Sequence, residues 1–191
     1  VDSSLVLIVN QNLGSGTGAV ICCQMVALCK GGAVITDIEQ KALSAKIAGK
    51  DYRTYAIVGD GESEEGQIWE ACMFAAHYAL DNLCLILDSN GLQIDGKITD
   101  VMNPTPHDEK FRAFGWNVIE ICGHSFDEID AAFRAAAETK GKPTAIIVKT
   151  VKGCGVSFME DQCSWHGKAP SAEEYEQAMA ELNAKLIELE A

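Results

Sequence analysis

YRTYAIVGDGESEEGQIWEACMFAAHYALDNLCLILDSNGLQIDG, residues 52–96, decides the fold. YRTYAIV is an apolar run without strict polar alternation, as expected of a strand buried on both faces of a parallel sheet. GDGESEEG follows as a polar turn. IWEACMFAAHYAL is apolar on nearly every face and reads as a buried helix. DNLCLILD is the next strand. Downstream, SNGLQIDGKITDVMNPTP is an irregular stretch punctuated by Gly and Pro. HDEKFRAFG is a short helix ended by Gly115, and WNVIEI a third strand. Ser125 and Glu128 form a capping box for the helix FDEIDAAFRAAAETK, which Gly141 ends. PTAIIVKT is the fourth strand. Strands alternating with helices predict an α/β fold: a three-layer α/β/α domain with a mainly parallel sheet. A long loop, KGCGVSFMEDQCSWHGKAP, comes next. Ser171 and Glu174 then open an amphipathic helix carrying Tyr175, Met179, Leu182, Leu186 and Leu189.

Upstream the pattern is less regular. LVLIV reads as a strand, GSGTG as a glycine loop, AVICCQMVALC as a helix and AVIT as a second strand. The chain therefore divides into an atypical segment, 1–41, and an α/β domain, 42–191.

Composition narrows the function. Over 191 residues, 15 Lys and Arg against 28 Asp and Glu give a net charge of -13, which argues against nucleic acid as partner. A phosphate ligand would need local help from a metal, backbone N–H groups or a helix terminus. The eight cysteines form no CxxC pair and several lie in apolar runs, consistent with free thiols in a reducing compartment. No apolar run approaches the roughly 18 residues of a membrane span, and no cationic leader opens the sequence. A cytoplasmic protein without membrane contact is expected.

In an open parallel sheet, ligands bind where strands end. The strand ending at Val58 delivers Gly59, Asp60 and Gly61, and the one ending near Asp88 delivers Asn90, Gly91 and Leu92. Mg2+ takes hard oxygens in near-octahedral array, few of them from protein. Asp60, Asn90 and one loop carbonyl would leave room for phosphate oxygens and water. Gly61 would let a phosphate approach its backbone, and a helix starting near Glu64 would aim its positive end there.

These motifs, GDGE–EGQ–WEA, LDNL, NGLQIDG and WHGKAP in that order, resemble the transketolase version of the thiamine diphosphate signature. The resemblance runs from residue 42 to about 185 and is specific to the diphosphate-binding (PP-type), N-terminal subunit of transketolases split into two polypeptides. It implies thiamine diphosphate and Mg2+ (or Ca2+) as cofactors. Asp60, the Asn90 side chain and the Leu92 carbonyl would be the metal ligands. Gly61, Asn90 and His166 would touch the diphosphate, with His166 also reaching substrate. Glu65 and Glu70 match glutamates that link two active sites near a dimer interface. Leu13 and Gly14 align with a segment that touches the cofactor. The implied reaction is transfer of a two-carbon ketol unit between sugar phosphates, as in the pentose phosphate pathway. The partner would be a C-terminal subunit carrying the pyrimidine domain, in a homodimer or a heterotetramer. The near-apolar helix 67–80 is the expected subunit interface, with Glu65 and Glu70 at its rim. His77 is read as packed in that helix, and His107 and His124 as turn and cap residues.

The sequence also departs from the family. Histidines of HPGG-like and KGH-like segments are missing, the first histidine being His77, and Gln11 stands where the family has a cofactor-contacting glycine. The glutamate that activates the aminopyrimidine belongs to another domain. The lone chain is accordingly expected to lack turnover. The alternative is a truncated, catalytically incompetent diphosphate-binding and dimerisation module. A third reading is dinucleotide binding at Gly14-x-Gly16-x-x-Ala19, with Asp37 as the ribose acid.

Overall fold

The computed structural model describes residues 6–9 and 34–190. Leu13, Gly14, the GxGxxA motif and the helix expected over AVICCQMVALC lie outside the described residues. β1 (Val6–Val9) falls within LVLIV, the first expected strand. AVIT, expected as a strand, instead opens α1 (Val34–Ile47). A short β-branched run fits either element. Ile38, Ala42 and Ala45, spaced by four and three and all buried, show the helical period that prevails.

The remaining elements follow the expected order. They are β2 (Thr54–Gly59), α2 (Gly66–His77), β3 (Leu83–Ser89), β4 (Leu92–Gln93), β5 (Gly96–Lys97), α3 (Ile98–Val101) and α4 (His107–Ala113). Then come β6 (Asn117–Cys122), α5 (Phe126–Glu138), β7 (Thr144–Lys149) and α6 (Ala172–Glu190). The stretch expected to be irregular thus holds a small antiparallel pair, β4 with β5, and the single turn α3. The other five strands form one parallel sheet in the order β1-β2-β3-β7-β6. β7, the last strand in the chain, enters between β3 and β6.

Successive strand residues point to opposite faces, which builds two cores. On one face Ala56, Val58, Leu83, Leu85, Leu87, Ala145 and Ile147 pack with α1, α2 and Phe111 of α4. On the other, Cys84 and Ile146 meet Ala132 and Ala136 of α5. This is the three-layer arrangement expected. Burial pushes the Cys72 and Cys84 thiols up to about 12, so both act as small hydrophobes.

Caps set the helix ends. Ser125 Oγ accepts from the Glu128 N–H, but the Glu128 carboxylate turns to the Cys122 N–H instead of closing the expected box. At α6 the box is reciprocal between Ser171 and Glu174. α2 buries Ile68, Ala71, Cys72 and Ala75 and leaves Met73 and Tyr78 exposed. His77 is exposed too, edge-on to the Tyr78 ring at 4.8 Å, and not packed inside as expected. On α6 only Ala178 is buried; Leu182, Leu186 and Leu189 stay exposed.

Candidate functional site

The register of β2 on β3 places Gly59 opposite Asp88, so Asp60 and Ser89–Asn90 emerge side by side. Asp60 is 1% exposed. Its Oδ1 accepts from the Gly61 N–H at 2.9 Å and its Oδ2 from the Gly91 N–H at 2.5 Å, tying the two strand tips together. Burial raises its pKa; the two N–H groups pull it back, while the Asp88 charge raises it further. Asp88 is the support beneath. One oxygen accepts from Asn90 Nδ2 at 3.1 Å, the other from the Thr150 hydroxyl past the end of β7. Asn90 Oδ1 accepts from the Leu92 N–H at 2.9 Å and keeps a second lone pair.

Gly61 is a glycine for a reason other than the one expected. Its φ of -65° suits any residue, and its N–H is already engaged by Asp60. An added Cβ would stand 2.8 Å from Gln93 Cβ, so the β4–β5 pair excludes a side chain. The helix expected near Glu64 begins later. A 3-10 turn, Glu62–Glu64, precedes α2 at Gly66.

These tips floor a cleft of about 630 Å³ that Asp60, Gly61, Glu65, Asn90, Leu92 and His166 all line. Six of the residues expected at the site are therefore gathered together. Glu70 is exposed on α2 and is not among them. Burial also raises the pKa of Glu62 and Glu64, and each has a buried carboxylate oxygen with no hydrogen-bond partner. Such a concentration of desolvated negative charge favours a cation.

His166 arrives differently. The loop after β7 ends in a 3-10 turn, Cys163–Trp165, whose Cys163 carbonyl accepts from the His166 N–H at 2.9 Å. Trp165 Nε1 donates to the Phe158 carbonyl at 3.0 Å, and the two rings pack at 5.5 Å. Lys168 lies 4.0 Å over the Trp165 ring and 3.1 Å from Glu174 of α6. Farther up the loop, Glu181 of α6 accepts from both the N–H and the hydroxyl of Ser157. His166 is exposed; partial burial, then the neighbouring Lys152, lowers its pKa and favours a neutral imidazole.

Lys152 lines the same cleft, a placement the motifs do not foretell. It lies three residues past the end of β7, a position that could flag it. A second omission is His107. It is buried, with Nε2 2.9 Å from Ser63 Oγ inside the GDGES turn, rather than a simple turn residue. His124 accepts from the Val151 N–H at 2.9 Å and steadies the start of the loop.

A doubly covered parallel sheet with an acidic cleft over its strand tips defines an α/β protein that takes its ligand at the carboxyl ends of the strands. The family profile described as transketolase, thiamine diphosphate binding domain, matches residues 21–186, so the chain belongs to that family, as its motifs implied. It is 43% identical over 149 residues to one polypeptide of the two-part apulose-4-phosphate transketolase of Phocaeicola vulgatus, covering 78% of this chain and 53% of that one. It is 46% identical over 128 residues to a 6-deoxy-6-sulfo-D-fructose transketolase subunit of a Clostridium species, covering 67% and 46%. The chain thus spans about half the length of these curated relatives. The crystal structure of Campylobacter jejuni transketolase superposes with a TM-score of 0.70 at 33% identity, over 74% of this chain and 23% of that one.

Proposed function

We propose that this chain is the diphosphate-binding part of a transketolase, transferring a two-carbon ketol unit between sugar phosphates together with a subunit that carries the pyrimidine domain. One observation carries the reading. Hard oxygen donors from two adjacent strand tips share a cleft with Lys152 and His166.

The donor set suits a hard divalent cation. The Asp60 carboxylate, Asn90 Oδ1 and Leu92 carbonyl are all oxygens, and the stranded oxygens of Glu62 and Glu64 add negative potential. Mg2+, or Ca2+ in its place, would screen that charge and bridge to the diphosphate. Lys152 supplies a fixed positive charge for the same group. His166, kept neutral, donates or accepts a hydrogen bond to the diphosphate or a sugar hydroxyl. When bound, thiamine diphosphate supplies a nucleophilic carbon and an electron sink. The chain itself binds, orients and excludes water. Glu65 and Glu70, both exposed beside the uncovered Met73–Tyr78 face of α2, fit a subunit boundary in a homodimer or heterotetramer. A cytoplasmic setting in pentose phosphate metabolism belongs to the same reading.

Calorimetric titration of the chain with thiamine diphosphate, with and without Mg2+, tests the proposal; binding is expected only with the metal. Ketol transfer should appear on adding the pyrimidine-domain partner and be absent without it. Metal-dependent binding with no activity in either assembly would favour the incompetent binding module. No binding at all would defeat both readings.

A further inference from the structure

Beneath the Asp60 turn lies a buried polar chain that the motifs do not explain. Ser63, fully buried, places Oγ 2.5 Å from the Asp60 carbonyl and 2.9 Å from His107 Nε2. A carbonyl can only accept, so the single hydroxyl proton of Ser63 goes to Asp60. Oγ must then accept from the ring, which fixes the proton of neutral His107 on Nε2. The direction is set throughout: His107 N–H to Ser63 O–H to Asp60 C=O.

That carbonyl belongs to the peptide whose N–H, on Gly61, holds Asp60 Oδ1. Donors aligned on a carbonyl polarise the peptide and strengthen its N–H as a donor. The relay therefore acts on the hydrogen bond that aims the Asp60 carboxylate. Its far end is anchored in the core. Phe111, one turn along α4 from His107, is fully buried against Trp69 at 5.4 Å and Trp116 at 5.7 Å. Trp69 Nε1 in turn donates to the Ser63 carbonyl at 2.9 Å.

We propose that His107 is a positioning residue for the cation site, holding the Asp60–Gly61 peptide through Ser63 so that the Asp60 carboxylate faces the cleft already oriented. The inference rests on the transketolase reading and deepens it. His107 does not touch the ligand; it acts through Ser63 on the turn that grips the ion.

The test compares wild type with Ser63→Ala, His107→Phe and His107→Gln, whose amide places an N–H near the Nε2 position. Affinity for thiamine diphosphate with Mg2+ is read by calorimetry, and the imidazole tautomer by nitrogen NMR. Loss of one buried hydrogen bond should weaken binding about five- to tenfold in Ser63→Ala and His107→Phe, with His107→Gln restored to within about twofold of wild type. The His107 ring should carry its proton on Nε2 and shift when the ligand is added. Should His107→Phe not fold, Ser63→Ala decides, because it removes one oxygen and leaves the packing. Wild-type affinity in Ser63→Ala, a proton on Nδ1, or a His107→Gln variant no better than His107→Phe would overturn the proposal while leaving the cofactor reading intact. Wild-type protein that ignores the ligand would overturn both.

Discussion

Asp60 and His166 face one cleft but are held in opposite ways. Asp60 is sealed under the strand tips, with both oxygens on backbone N–H groups whose spacing the sheet register dictates. His166 is exposed on a loop steadied by side chains, namely Trp165 on Phe158, Lys168 on Glu174, and Glu181 on Ser157. The half of the site that would grip an ion is built from backbone and cannot shift without the sheet. The half that would meet substrate is fastened from outside and can be loosened alone.

The largest effect should come from removing the backbone-held carboxylate. Asp60→Ala deletes a ligand and orphans two N–H groups, so Mg2+-dependent affinity for thiamine diphosphate should fall at least about 100-fold, more than for loss of a supporting residue. Retained affinity by calorimetry would erase the distinction between the halves. Two glycines sharpen it next. Gly61→Ala forces a methyl against Gln93 and should cost about 1–3 kcal/mol in chemical denaturation. Gly167→Ala, in the loop, meets no atom within 4 Å and bears only the strain of its φ of +75°, about 1 kcal/mol. A reversed order would show that the loop is the stiffer element.

Smaller still is the expected effect of Glu181→Ala. It frees Ser157, so proteolysis within residues 150–170 should quicken while cofactor affinity changes by less than about threefold. The smallest concerns pH. Burial, then Lys110, lowers the pKa of His107 from 6.5, with Asp108 opposing. The folded state thus resists protonation more than the unfolded chain does. Stability is full above pH 6.5 and is lost as the pH falls below it. His107→Gln should flatten that acid limb in urea melts at pH 5 to 7; an unchanged limb would assign it elsewhere.

Much of this is legible in the sequence, for identifiable reasons. Apolar runs bounded by turn residues mark β2, β3, β6 and β7, because a strand covered on both faces needs continuous hydrophobicity. Asp60 and Asn90 can be paired because they end strands joined by a single helix. AVIT misleads because its β-branched residues fit either state, and the period that decides lies further on, at Ile38, Ala42 and Ala45. Lys152 and Thr150 stay hidden because nothing local says that β7 settles against β3. His107 looks like any turn histidine, since its partner Ser63 is distant in the chain and neither residue carries a pattern. The reason for Gly61 is invisible too, residing in Gln93 of a two-residue strand.

The interpolated position of β7 also governs how the molecule is made. During synthesis β2, β3 and β6 all emerge before the strand that joins them, so β3 and β6 wait as open edges, free to pair with another nascent chain. Thr150, which completes the hydrogen bonds of Asp88, arrives only with that last piece. Ligand competence should therefore appear late and all at once on the ribosome, and a transcript truncated before Thr144 should yield an aggregating polypeptide rather than a weaker binder.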